Sequence, residues 1–124
     1  MSHLLFKEES FKVVEVCMNI HGTLGMGSKE INYKDAMEID FIEAGIPYER
    51  EKRFTVKYKD KILHNPYFAD FVVFDSIVVE VKSLPVITDN HIAHALSYLA
   101  VSKTKLAMII NFGERSLTWK RIGL

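Results

Sequence analysis

The chain has one cysteine, Cys17, no surplus of charge of either sign and no long apolar run. Each shortage removes a class of protein. A lone cysteine forms no internal disulfide, which fits a reducing cytosol and leads us to expect a cytoplasmic protein. Cys17 falls in an apolar helical pattern, where a thiol packs as a small hydrophobe rather than serving as a nucleophile. Sixteen basic residues balance sixteen acidic ones, so the chain does not coat nucleic acid by bulk charge. A locally charged site remains open. The apolar runs are too short to cross a bilayer, and Lys7, Glu8 and Glu9 stand where a secretory signal would carry its apolar stretch. Repeats, low-complexity tracts and linker composition are missing too. With 124 residues, 48% of them apolar, we expect one domain over residues 1–124 with a substantial core and no membrane association.

What is present divides into helical and extended segments. Phe11 to Leu24 repeats Val13, Cys17, Ile20 and Leu24 at helical spacing, with Val14 and Met18 beside them and Ser10 as an N-cap candidate. Gly22, Gly25 and Gly27 end it, and His21 on its last turn reads first as a structural histidine. A second helix runs from Ser28 to Ala44, stopped by Gly45 and Pro47. Tyr33, Met37, Phe41 and Ala44 share its apolar stripe, and Glu30 lies on that stripe too. Glu30 either favours the positive end of the helix dipole or is an acid turned toward a site. Extended segments follow at Tyr48–Tyr58, Ile62–Leu63 and Tyr67–Phe74. Asp75-Ser76 then turns a hairpin into Ile77–Ser83.

That last strand holds the odd residues. Side chains alternate faces along a strand, so Val79 and Val81 point one way while Val78, Glu80 and Lys82 point the other. Either Glu80 and Lys82 face water, or a charge is kept in the core, where it must be paired or bound to metal. The neighbouring apolar strand carries Asp70, expected opposite about Val81 and within one residue of Glu80. Pro85 ends the Glu80 strand, and Thr88 or Asp89 caps a helix over 90–102 with Ile92, Leu96 and Leu99 on its apolar face. His94 and Tyr98 are four apart and share a face. Lys105–Phe112 reads as a buried strand reached by a right-handed crossover, hence parallel to the Glu80 strand. Ser116–Ile122 reads as a charged edge strand. Two close carboxylates can share a hard cation such as Mg²⁺, and a nearby lysine can bind an attacking water or developing charge. Those are parts of phosphodiester hydrolysis.

Asp70 followed by Glu80-Val81-Lys82, in this order of elements, resembles the PD-(D/E)XK nuclease superfamily. Gly27-Ser28-Lys29-Glu30-Ile31-Asn32-Tyr33 resembles the signature of its prokaryotic GxxExxY subfamily. His21 with Leu24-Gly25, Tyr67-Phe68-Ala69-Asp70 and Asn111-Phe112-Gly113 extend the likeness from about His21 to the C-terminus. Ala69 replaces the superfamily's proline, and His94 replaces the subfamily's usual glutamine. The resemblance implies an α/β (α+β) restriction-endonuclease-like core, a mixed central sheet flanked by helices in the order α-α-β-β-β-β-α-β-β. It implies Asp70, Glu80, the Val81 carbonyl and Glu30 as ligands of Mg²⁺ or Mn²⁺, and Lys82 as the catalytic lysine. His94, Tyr98, Tyr33 and His21 are candidate substrate contacts. The implied partner is nucleic acid, in the first place DNA, with a homodimer as one way to present two sites to a duplex. A nuclease fold that binds nucleic acid or protein without turnover is the alternative.

Overall fold

The structure, a computed structural model, describes residues 5–123. Its elements are α1 (Lys7–Leu24), α2 (Glu30–Ala44), β1 (Tyr48–Phe54), β2 (Lys57–Tyr58), β3 (Lys61–Ile62), β4 (Tyr67–Val73), β5 (Ile77–Lys82), α3 (Asp89–Ser102), β6 (Leu106–Asn111) and β7 (Thr118–Gly123). Five strands form one sheet in the order β1-β4-β5-β6-β7, and β2 pairs with β3 as a separate ribbon. The β5–β6 pair is parallel and the other neighbours are antiparallel, so the crossover through α3 is as the sequence spacing required. The expected Tyr48–Tyr58 strand is two: the main sheet keeps it only to Phe54, and Lys57–Tyr58 folds back on Lys61–Ile62 through Lys59, which takes a left-handed φ of 56°.

Two cores lie on opposite faces of the sheet. On one, α1 and α2 bury Val13, Cys17, Tyr33, Met37 and Phe41 against Phe71, Val79, Val81 and Met108. On the other, α3 buries Ala95, Tyr98 and Leu99 against Ala69, Val72, Val78 and Ile109. Cys17 is fully buried, and burial pushes its thiol pKa up, which suits packing and not reactivity. Among the described residues no helix is long and apolar enough to cross a membrane.

Several boundaries differ from the sequence reading, each for a local reason. The first helix starts a turn early, at Lys7, with Phe6 left-handed at its N-cap and Glu8 and Glu9 in the first turn, where they favour the dipole. Ser10 is therefore inside the helix, its Oγ donating to the Lys7 carbonyl at 3.1 Å, and is not the cap. In α2, Ala44 is exposed and the buried place goes to Ile46 beyond the helix end. Gly45 makes this turn at φ 68°, and the Ile46 N–H then bonds the Phe41 carbonyl at 2.9 Å. In α3, Thr88 is the N-cap and its N–H donates to His91 Nδ1 at 2.9 Å. Leu96 faces solvent and the smaller Ala95 takes the sheet side, because the helix lies close on β6.

Candidate active site

The hairpin between β4 and β5 sets the site. Its loop is three residues, Phe74 to Ser76, with Phe74 and Asp75 both at positive φ. A two-residue turn had been expected, and the extra residue shifts the register by one. The ladder runs Val73↔Ile77, Val72↔Val78, Phe71↔Val79; continued, it sets Asp70 opposite Glu80 rather than Val81. There the two strands part. The Asp70 carboxylate enters the opening, and its Oδ2 accepts the Val81 N–H at 2.7 Å.

A second distortion faces Asp70 from the other side. In the β1–β4 ladder, Arg50 pairs with Phe71 and Lys52 with Ala69, so Glu51 lies opposite Asp70. Glu51 has a left-handed φ of 52°, uncommon for a residue with a Cβ and costing on the order of 1–3 kcal/mol. Residues two apart on a strand share a face. Yet Phe71 packs with α1 and α2, whereas Ala69 packs with α3. The paired strands roll over at Glu51 and Asp70, and such strained positions cluster at working sites.

Glu80 is 7% exposed, and its Oε1 has no hydrogen-bond partner among the described residues. Burial first, then the negative charge of Asp70, pushes its carboxyl up to about 9, with Lys82 pulling the other way. Leaving a buried carboxylate oxygen unmatched is expensive, so Glu80 is built either to keep a proton or to give it up to a cation. Lys82 is half-buried at the end of β5. Lys34 reaches in from α2, its Nζ 3.2 Å from Asp70 Oδ1 and 2.9 Å from Glu51 Oε1. Burial works against the charge of Lys34, but Glu51 and Asp70 outweigh it and hold the ammonium's pKa above its usual value. On the α3 side, the Tyr98 hydroxyl donates to the Phe68 carbonyl at 2.7 Å. Burial, then Glu80 and Asp70, raise the Tyr98 pKa, so it stays a neutral donor. Tyr67, His94 and Tyr98 form an aromatic trio, with Tyr98 5.1 Å from Tyr67 and 5.2 Å from His94 between ring centres.

The residues singled out in the sequence thus separate. Asp70, Glu80, Val81 and Lys82 come together, with Tyr98 beside them and His94 exposed at the rim. Glu30 does not join them. It is exposed on the first turn of α2, and among the described residues no three His, Cys, Asp or Glu side chains group to hold a metal ion. Tyr33 is fully buried, stacked on Phe112 at 4.2 Å, and accepts the Ser28 N–H at 3.1 Å while donating to the Gly25 carbonyl. It pins the loop before α2, which leaves it no surface for a substrate. His21 bonds the Glu114 carbonyl through Nε2 at 2.8 Å, the structural role first read for it.

Asn111 and Gly113 act from behind. Asn111 Oδ1 accepts from Leu84 N at 2.9 Å and Gly113 N at 3.1 Å, and its Nδ2 donates to Leu84 O and Glu114 Oε2, both at 2.9 Å. This fixes the chain just beyond Lys82. The β6 exit passes so close that a Cβ on Gly113 would stand 2.2 Å from Leu84 N. The contact is with backbone, so it cannot be relieved by a rotamer. Gly113→Ala is expected to lower stability by about 1–3 kcal/mol, or roughly 5–15 °C in Tm, in a thermal melt.

Two carboxylates, one with a buried orphan oxygen, are a hard-oxygen donor set that suits Mg²⁺ or Mn²⁺, with waters completing the shell. A mixed sheet between helical layers, with an Asp and a Glu-x-Lys on diverging central strands, defines the restriction-endonuclease-like class. The chain belongs to the PD-(D/E)XK nuclease superfamily, whose sequence model matches residues 7–122. In fold it is similar to the protein in the crystal structure of SSO0001, with a TM-score of 0.57 and 14% identity. That likeness covers 95% of this chain and 59% of the other, so the chain spans under two thirds of that neighbour's length. No curated protein matches. Lys34 and Glu51 escaped the sequence reading: neither lies in a motif, and they meet Asp70 from two other elements, α2 and β1.

Proposed function

We propose that the chain is a single metal-dependent nuclease domain that hydrolyses phosphodiester bonds in DNA, and that it falls in the GxxExxY group of its superfamily. The observation that carries this reading is the buried, unmatched Glu80 Oε1 beside Asp70, on the strand that carries Lys82. Asp70 and Glu80 would hold Mg²⁺ or Mn²⁺, with the Val81 carbonyl available as a further oxygen. Such a cation lowers the pKa of a bound water and polarises a phosphoryl oxygen. Lys82 donates to the attacking water or to the developing charge. The exposed His94 ring, packed against Tyr67 and Tyr98, offers a polar group and a stacking face at the rim. Placement in the GxxExxY group is supported by the way its signature residues fold, with Tyr33 tying down the Gly25–Ser28 loop. A cytoplasmic prokaryotic setting is part of the same reading. Pairing of two chains is a further element, decided by light scattering at working concentration.

The test is incubation of the purified protein with linear, nicked, flapped and single-stranded DNA, with and without Mg²⁺ or Mn²⁺. Cleavage that needs the cation supports the reading. One observation favours the second reading, a binding module without turnover: Lys34 already sits on Asp70 Oδ1. Titration calorimetry separates the two. Mn²⁺ is expected to bind the wild type and to bind Asp70→Asn at least tenfold more weakly, since one charged ligand oxygen becomes a neutral amide. A folded wild type with no heat of Mn²⁺ binding would favour the module.

A further inference from the structure

Lys34 and Glu51 have no part in the proposed hydrolysis, yet Lys34 pairs with Asp70, its first ligand, and Glu51 pairs with Lys34. In this chain both Asp70 oxygens are engaged, Oδ2 by the Val81 N–H and Oδ1 by the Lys34 ammonium. Oδ1 is therefore an oxygen for which Lys34 and a divalent cation compete. The Lys34 side chain is 13% exposed, Asp70 15% and Glu51 49%, so the ammonium has a buried acceptor and a more open one within reach. The frame around this pair is latched. Arg50 Nη1, next to Glu51, lies 2.8 Å from Asp35 and 3.0 Å from Glu38, and the Tyr48 hydroxyl donates to Glu38 at 2.7 Å. With α2 and β1 tied together just beyond Lys34, its own flexible stem is the part able to shift. The left-handed backbone at Glu51 places that second acceptor opposite Asp70.

We infer that Lys34 is a tethered cation standing on Asp70 in place of a divalent ion, and that Glu51 is the acceptor onto which it withdraws when the ion arrives. This rests on the reading of Asp70 and Glu80 as metal ligands. Two cations on one carboxylate oxygen repel strongly where water is scarce. Withdrawal to Glu51 keeps an ion pair for Lys34 while freeing Oδ1. Lys34 and Glu51 are thus positioning residues: the first lowers metal affinity and keeps the empty site neutralised, and the second restores access.

The test is Mn²⁺ titration calorimetry at one pH and salt concentration, with a thermal melt of each metal-free variant. Lys34→Met, which keeps the stem, is expected to bind Mn²⁺ about tenfold more tightly and to melt lower without metal, because Asp70 loses its partner. Glu51→Gln is expected to bind more weakly, since Lys34 has a poorer place to go. Adding Glu51→Gln to Lys34→Met is expected to leave the affinity where Lys34→Met put it, because Glu51 acts through Lys34. A folded Lys34→Met that binds no tighter than a binding wild type overturns the inference and leaves the ligand assignment standing. Further weakening in the double variant overturns the role given to Glu51. Binding by Lys34→Met but not by wild type supports the inference; binding by neither overturns it together with the ligand assignment. Should Lys34→Met fail to fold, Glu51→Gln decides, and equal or tighter binding there overturns the inference.

Discussion

Lys82→Ala is expected to lose at least about 100-fold in cation-dependent cleavage while melting within a few degrees of the wild type. The ammonium stands beside Glu80, close enough to pull its carboxyl pKa down against burial and Asp70. It is half-buried, where a donor aimed at developing charge is worth more than in water. Removing one such donor from an active site costs about 10²–10³ in rate. Stability should hardly move, because Lys82 lies at the end of β5, where truncation opens no core cavity. A single-turnover assay with saturating Mn²⁺ reads the rate, and calorimetric titration of the same variant shows whether metal still binds. Lost cleavage with retained metal binding is the expected pair of results.

Glu80→Gln is expected to stabilise the metal-free protein at alkaline pH. In the unfolded chain the Glu80 carboxyl titrates near 4.5, and in the folded chain it is pushed up to about 9. The folded state therefore keeps a proton that the unfolded state has lost throughout that interval. Stability contributed by this group is complete below about 4.5, declines as pH rises and stops declining above about 9. Wild type and Glu80→Gln should therefore melt alike at acid pH, and the wild type should fall progressively below the variant as pH rises toward 8. A divalent cation would take the place of that proton. Mn²⁺ binding to the wild type at neutral pH is accordingly expected to release about one proton, counted by calorimetry in buffers of different ionisation enthalpy. The same variant should lose most of its metal affinity, which separates it from an ordinary stabilising substitution.

The architecture was legible wherever a period and a stop signal coincided. Tyr33, Met37 and Phe41 stand one helical turn apart before Gly45, and all three are fully buried. The parallel β5–β6 pair followed from the length of the α3 crossover. Asp70 and Glu80 were legible because each interrupts an apolar strand, and the structure brings them face to face. What was lost was decided at single backbone dihedrals. Phe74 at φ 53° lengthens the hairpin loop by one residue and moves Asp70 from Val81 to Glu80. Glu51 at φ 52° marks the roll of β1 and β4, which sets Glu51 opposite Asp70, where Lys34 of α2 pairs with both. Neither residue is a glycine, so neither announces a left-handed turn in the sequence. Glu30 was misread for the opposite reason. Its place on the helical stripe was right, but the stripe is buried only from Tyr33 onward, and the first turn of α2 stands in solvent.

The measurement closest to the heart of this account is a crystal structure of the protein soaked in Mn²⁺, with anomalous scattering locating the ion. The account predicts one peak between Asp70 and Glu80, with an oxygen of each at roughly 2.0–2.2 Å, the Lys34 ammonium moved off Asp70 toward Glu51, and Lys82 facing the ion's waters. A well-ordered site in which Lys34 still holds Asp70, Glu80 Oε1 is still unmatched and no peak lies between the two carboxylates would contradict it.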